Sequence, residues 1–282
     1  MEPEVGDKSI EVTRDDVAAG LRSVGVEPGD VVMFHSSLSS LGAVVGGADA
    51  VIDGFLDAVG PAGTVAVPTL CKSQPERGNY VFETWDVGNT PCYVGAIPET
   101  LRQRPDAVRS DHATHSVAAI GARAVELTAS HGAAGLRQGP FGPKAFAAES
   151  PWERLAQWDA AYCFVGVTFR VNTMVHYVET RLVQRALERA QPQDRAGLGE
   201  QVRGWLKPGL WPMISAADRE EIERMEAEMG IVRYGKIGSA TLRCARARAM
   251  VAEWIAAVEA SPERWLPEDM LAWLMQTRSR ER

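Results

Sequence analysis

The chain has 282 residues, 45% of them hydrophobic and 24% charged, with 30 Lys+Arg against 37 Asp+Glu. That length and apolar content can build a sizeable core without disulfide or metal staples, and they exclude a disordered chain, a collagen-like repeat and a small cysteine-stapled scaffold. A formal net charge of -7 argues against wrapping nucleic acid, which needs a basic surface, and is only a faint pointer to a cationic small partner. Cys71, Cys92, Cys163 and Cys244 lie far apart with no C-x-x-C pair, so neither a zinc knuckle nor a redox dithiol is expected. Met1 to Arg14 lacks the apolar core of a signal peptide, and no stretch reaches the roughly 18 apolar residues needed to span a bilayer. The expected location is a reducing cytoplasm, with no membrane partner.

In chain order, the first half alternates strands and helices. Thr13 to Val24 reads as a helix capped by Thr13, with Val17, Leu21 and Val24 on one face, ending at Gly25. The turn Glu27-Pro28-Gly29-Asp30 feeds an apolar strand, Val31 to His35, and then a small polar loop, Ser36 to Gly42. After Gly46-Gly47, the positions Ala48, Val51, Ile52, Phe55, Leu56 and Val59 form one helical stripe that stops at Gly60-Pro61-Ala62-Gly63. Thr64 to Val67 is the next strand, which completes a βαβ unit with parallel strands. Cys71 to Pro91 is a long polar and aromatic loop, of a length that points to a role such as lining a site.

Pro98 opens a short helix to about Gln103, Ser116 to Gly121 is a strand, and Ala122 to Ser130 a helix. Gly139 to Pro143 is loop, and Ser150 caps a helix with Pro151 at its first position. Ala161 to Val167 is a buried strand holding Cys163 as a small hydrophobe, and Asn172 caps a long helix to about Ala190. Residues 191–215 read as irregular, Ala216 to Glu228 as a solvated acidic helix, and Ala240 to Ala260 and Pro267 to Thr277 as further helices. The expected architecture is one α/β domain over 1–282: a mixed, largely parallel central sheet flanked by helices. Its core covers about 10–190, and 191–282 is a mainly helical extension.

The five histidines are the first place to look for chemistry. His176 lies in the first turn of the helix after Asn172, where the positive end of the dipole favours a neutral ring able to accept a proton. Glu179 and Thr180, three and four residues on, share its face, and a carboxylate there can orient the ring. The same placement also suits a histidine that only caps a buried helix end. His35 ends a strand and fits either a packed ring or a ligand contact. The loop after it offers hydroxyls and main-chain N–H groups to an anion, or is a plain flexible connection. Asp111-His112-x-x-His115 is compatible with metal ligation or with polar structure. His131 reads as surface. No G-x-S-x-G elbow occurs.

Several segments in this order together resemble the aminoglycoside 3-N-acetyltransferase family: Val31 to Gly42 (VVMFHSSLSSLG), Gly46 to Val67, Arg109 to Gly121 (RSDHATHSVAAIG), Ser150 to Leu155 (SPWERL) and Phe164 to Glu179 (FVGVTFRVNTMVHYVE), with a thinner match at Gly235 to Ala240 (GKIGSA) opening a helix. The resemblance implies an α/β fold that uses acetyl-CoA, without a metal, to acetylate an amine of an aminoglycoside-type antibiotic, acting as a monomer or homodimer. It implies that His176 is the general base, with Glu179 a candidate to orient it and Thr173, with nearby N–H groups, the oxyanion donors. It assigns the acyl-donor cradle to His35, Ser36, Ser37, Leu38, Ser39, Ser40 and Gly42. Arg109, Ser110 and His112 match an R-S-x-H segment that faces the cofactor, with Ser116 at its end.

The chain departs from the family pattern before Gly235. Where aminoglycoside-modifying members place acidic residues, it has Leu210-Trp211-Pro212-Met213-Ile214, leaving Glu179, Glu83 or Asp86 as substitutes. A site without carboxylates binds a polycation poorly. The competing expectations are a less cationic amine acceptor, a metal-dependent hydrolase built on Asp111, His112, His115 and His176, and a catalytically silent CoA-binding relative.

Overall fold

A computed structural model describes residues 3–72, 74, 78, 80–133, 144–204 and 214–277. The expected loop Gly139 to Pro143 and the apolar run Leu210 to Met213 lie outside the described residues. In chain order, β1 (Glu11–Val12) and α1 (Arg14–Ser23) lead to β2 (Val31–Ser36), α2 (Leu38–Leu41), β3 (Ala43–Val44), α3 (Gly47–Val59) and β4 (Thr64–Pro68). Next come α4 (Val81–Thr84), α5 (Ala96–Gln103), β5 (Val108–Arg109), β6 (Val117–Gly121), α6 (Ala124–Thr128), α7 (Pro151–Gln157) and β7 (Ala161–Val165). A 3-10 turn at Phe169–Val171 precedes α8 (Met174–Arg189), α9 (Arg195–Gly204) and α10 (Ala216–Glu228). The described chain ends with β8 (Val232–Ile237), β9 (Ala240–Arg246), α11 (Ala247–Ala260), α12 (Pro262–Trp265) and α13 (Glu268–Thr277).

Local chemistry explains the helix starts. Thr13 and Asp16 form a reciprocal capping box at α1, Ser215 and Asp218 do the same at α10, and Ser150 caps α7 with Pro151 following. The central sheet has the order β5-β6-β4-β2-β7-β9-β8. Its middle is the expected βαβ unit: β2 pairs in parallel with β4 across the α3 crossover, and also with β7. The outer pairs β4–β6, β5–β6, β7–β9 and β8–β9 are antiparallel. The sheet is therefore mixed, and parallel only among its three central strands.

Period-two alternation sorts the strand side chains into two cores. Val32 and Phe34 of β2 and Cys163 and Val165 of β7 face the layer formed by α1, α3 and α5. Met33, Tyr162 and Phe164 face the opposite layer, which holds α7, α8 and α11. The same alternation turns His35 toward Tyr162 and Phe164, onto the α8 side.

Three expectations beyond residue 190 need correction. Residues 240–246 are not the start of a helix: Ala240, Leu242 and Cys244 are buried in alternation in β9, which pairs with β7, and the helix begins only at Ala247. Ala, Leu and Arg are good helix formers, and tertiary pairing overrode that preference. GKIGSA accordingly spans a hairpin turn; Gly238 has φ +57, and a Cβ there would lie 2.2 Å from the Leu41 carbonyl oxygen. Residues 191–215 contain α9. Nor is α10 simply solvated, because Glu223 and Glu226 are buried on it. Glu223 accepts from the Phe169 N–H at 2.9 Å, which ties α10 to the turn that launches α8.

Candidate active site

A cavity of about 1600 Å³ opens at the carboxyl ends of β2, β4 and β7, the usual place for ligands in such sheets. Its wall includes His35, Ser36, Ser37, Leu38, Ser39 and Gly42 from the loop after β2, Thr114 and His115 from the loop before β6, and Thr173 and His176 from the start of α8.

The start of α8 is fixed by main-chain chemistry. Asn172 Oδ1 accepts from the Met174 N–H at 2.9 Å, although the capping position itself is Thr173. This puts His176 at the third helical residue, with its N–H on the Thr173 carbonyl at 3.1 Å. The ring is buried, and its Nδ1 lies 3.1 Å from Glu179 Oε2. Burial first, and the Arg219 guanidinium second, hold the imidazole well below its ordinary value of 6.5. The contact is thus a hydrogen bond from a neutral ring rather than an ion pair. A carboxylate only accepts, so the proton sits on Nδ1. Glu179, buried beside it, accepts from the Ile214 N–H at 2.8 Å through its other oxygen. The i, i+3 spacing read from sequence therefore does bring His176 and Glu179 together. Thr180 instead donates to the His176 carbonyl at 2.7 Å.

His35 is also neutral, pushed by burial down to about 3, and its Nε2 is 2.9 Å from the Tyr162 hydroxyl while the ring stacks on Phe164. Of the following loop, all the named residues line the cavity except Ser40. Its hydroxyl donates to the carbonyls of Glu4 at 2.6 Å and Gly166 at 3.3 Å, so it closes the loop onto the body of the protein. Ser36 Oγ is buried and has no hydrogen-bond partner among the described residues. Lys8 donates to the Ser39 and Gly42 carbonyls at 3.0 and 2.7 Å and lines the same end.

Arg109, Ser110, His112 and Ser116 do not line the cavity. Arg109 braces the segment after β4 through Thr69, Cys71, Val87 and Thr90, and lies 4.6 Å over the Trp85 ring. Ser110 Oγ accepts from the Val117 N–H and contacts His131 Nδ1, and His112 Nδ1 accepts from the N–H groups of Thr114 and His115. Ser116 hydrogen-bonds Thr69. These residues form the rear support of the wall. His131 is buried rather than on the surface, with its Nε2 on the Ala145 carbonyl at 2.8 Å.

Among the described residues no group of three or more His, Cys, Asp or Glu is placed to hold a metal ion. Asp111 accepts from Trp85 Nε1 at 2.7 Å, away from the His115 and His176 rings that meet edge to face. Glu83 and Asp86 do not line the cavity; Asp86 binds its own turn at Gly88 and Asn89. Arg219 is a lining residue that sequence reasoning missed, and His115, weighed there only as a metal ligand, lines the wall as well. The only sequence signal for Arg219 is a cation near the start of an otherwise acidic helix, against the dipole preference. Among the described residues no helix is long and apolar enough to cross a membrane.

Comparison with known proteins places this geometry. The aminoglycoside N(3)-acetyltransferase VII of Streptomyces paromomycinus is 35% identical over 185 residues, covering 60% of this chain and 60% of its own. The chain thus spans about 60% of the length of such curated relatives. The SPbeta prophage-derived aminoglycoside N(3')-acetyltransferase-like protein YokD of Bacillus subtilis (strain 168) is 30% identical over 251 residues, covering 82% of this chain and 86% of its own. A solved structure of AAC-IIIb, binary with CoASH, shares the fold with a TM-score of 0.69 at 21% identity, over 90% of this chain and 98% of that one. The family model described as aminoglycoside 3-N-acetyltransferase matches residues 33–259. The chain belongs to the aminoglycoside 3-N-acetyltransferase family.

Proposed function

We propose that this protein transfers an acetyl group from acetyl-CoA to a primary amine, with His176 as general base. The observation that carries the reading is the neutral His176 ring in the cavity wall with Nδ1 fixed on Glu179. In this reading Nε2 takes the proton of the attacking amine as the N–C bond forms and the C–S bond breaks, and His176 then returns the proton to the departing thiolate. Bound acetyl-CoA supplies the thioester. Thr173 lines the cavity beside His176 and is the candidate donor to the negative charge that develops on the carbonyl oxygen. The Ser37 and Ser39 hydroxyls and the Lys8 cation suit the pantetheine and phosphate portions of the donor.

The names of the relatives point to an aminoglycoside acceptor. One observation favours a different amine: the described cavity wall includes Lys8, Lys72, Arg170 and Arg219 but no Asp or Glu. The test is release of free CoA thiol from acetyl-CoA with a panel of aminoglycosides and simple amines. Loss of amine-dependent release in His176→Ala, with CoA affinity retained, is the expected result. Undiminished release in that variant would overturn the assignment of the base.

A further inference from the structure

Arg219 projects from the second turn of α10 into the wall beside His176, on which it acts electrostatically. Its Nε donates to the Ile214 carbonyl and its Nη1 to the Arg170 carbonyl, each at 3.2 Å. These main-chain contacts aim the guanidinium without neutralising it. It forms no salt bridge with a described carboxylate. The nearby Glu179 already accepts from His176 and Ile214 through both oxygens. The other cations of the wall are differently placed: Lys8 is committed to the loop after β2, Arg170 pairs with Glu220 at 3.0 Å, and Lys72 is exposed in the segment after β4. Arg219 is half-buried: burial lowers its proton affinity, and the charge of Glu179, which does not line the cavity, offsets this only in part. Such a group is stabilised further by a ligand that brings negative charge from the cavity side.

Building on the acetyl-transfer reading above, we propose that Arg219 is the acceptor-recognising residue, and that the amine it selects carries an anionic group, a carboxylate or a phosphate. The cation beside the base then serves the acceptor, while the loop after β2 and Lys8 serve the acyl donor. The arrangement repels a polycationic acceptor as well as attracting an anionic one.

The experiment uses the full chain and matched pairs: glucosamine 6-phosphate against glucosamine, and β-alanine against β-alaninamide, with sisomicin as the polycation. Equilibrium binding to the CoA-loaded protein is measured by calorimetry, and turnover by thiol release. The expected result is a preference of about tenfold or more for at least one anionic member over its neutral partner. The two pairs separate phosphate from carboxylate. Arg219→Met should abolish that preference through weaker binding and higher KM of the anionic member, with the Kd for CoA little changed. Arg219→Lys should retain part of it. Tighter binding of sisomicin or of both neutral members overturns the proposal without recourse to any variant. So does a preference that survives Arg219→Met, or a loss in that variant confined to CoA binding. Anion preference in binding with no thiol release from any amine would instead sink the transfer reading and leave the assignment of Arg219 standing.

Discussion

Glu179→Gln tests the catalytic reading most sharply, because it keeps the side-chain shape and removes one acceptor. Glu179 accepts from two donors, His176 Nδ1 at 3.1 Å and the Ile214 N–H at 2.8 Å. A glutamine can accept from only one of them. If its oxygen serves Ile214, its amide N–H₂ faces Nδ1 and selects the tautomer protonated at Nε2, which is the wrong one for a base acting from Nε2. If its oxygen serves His176, two donors oppose each other at Ile214. Either way the proton acceptor is lost or the segment entering α10 is disturbed. Loss of a positioned base lowers kcat by about 100- to 10,000-fold, or roughly 3–5 kcal/mol in the barrier. The unpaired buried donor costs about 1–3 kcal/mol of folding stability. Thiol-release kinetics with saturating acetyl-CoA read the first quantity and urea unfolding the second. The double variant with His176→Ala should be no slower than His176→Ala alone, since the two residues act as a unit. A kcat within about threefold of wild type in Glu179→Gln would refute the orienting role.

Other consequences are open to measurement. Because burial and Arg219 hold the His176 ring well below 6.5, the base stays neutral as pH falls through that value. The acidic limb of kcat, read at saturating amine, should therefore lie below pH 6.5, and Arg219→Met, assayed with an amine that carries no anionic group, should move it upward. Glu226, buried with neither oxygen hydrogen-bonded, is pushed by burial and by Glu253 and Glu223 from 4.5 to about 9. A carboxyl whose folded value is raised is most favourable to stability below its unfolded value, and that contribution is lost as pH climbs toward 9. At pH 7 the loss is about 3 kcal/mol, so Glu226→Gln should match wild type in urea unfolding at pH 5 and exceed it at pH 8. Ser40→Ala should lose about 1 kcal/mol of stability without weakening CoA binding, because its hydroxyl serves Glu4 and Gly166. Calorimetry on Ser37→Ala, whose residue lines the cavity, should show weaker CoA binding.

What could be read from the sequence was what is local along the chain. Thr13, Ser150 and Ser215 cap helices by bonds spanning a few residues, and the strands of the βαβ unit are short apolar runs bounded by turn residues. His176 and Glu179 belong to the same class, since one helical turn fixes their approach. The misreadings fall where a distant partner decides. Residues 240–246 become a strand because β7 offers an edge, and His131 can be buried because its Nε2 donates to the Ala145 carbonyl and its Nδ1 accepts from the Ser110 hydroxyl. In the segment Arg109 to Ser116, expected at the cavity from its family motif, Thr114 and His115 reach the wall while Ser110 and Ser116 turn inward to His131 and Thr69. Arg219 shows why charge counting along the chain fails to locate a site. It sits in a helix that is acidic overall, but the fold carries Glu223 away to Arg243 and leaves Arg219 facing His176. The Glu179 carboxylate is bound to His176 off the cavity wall, while the described wall itself carries cations and no Asp or Glu, a sign opposite to that of the whole chain. That local sign, and not the net -7, bears on which amine approaches His176.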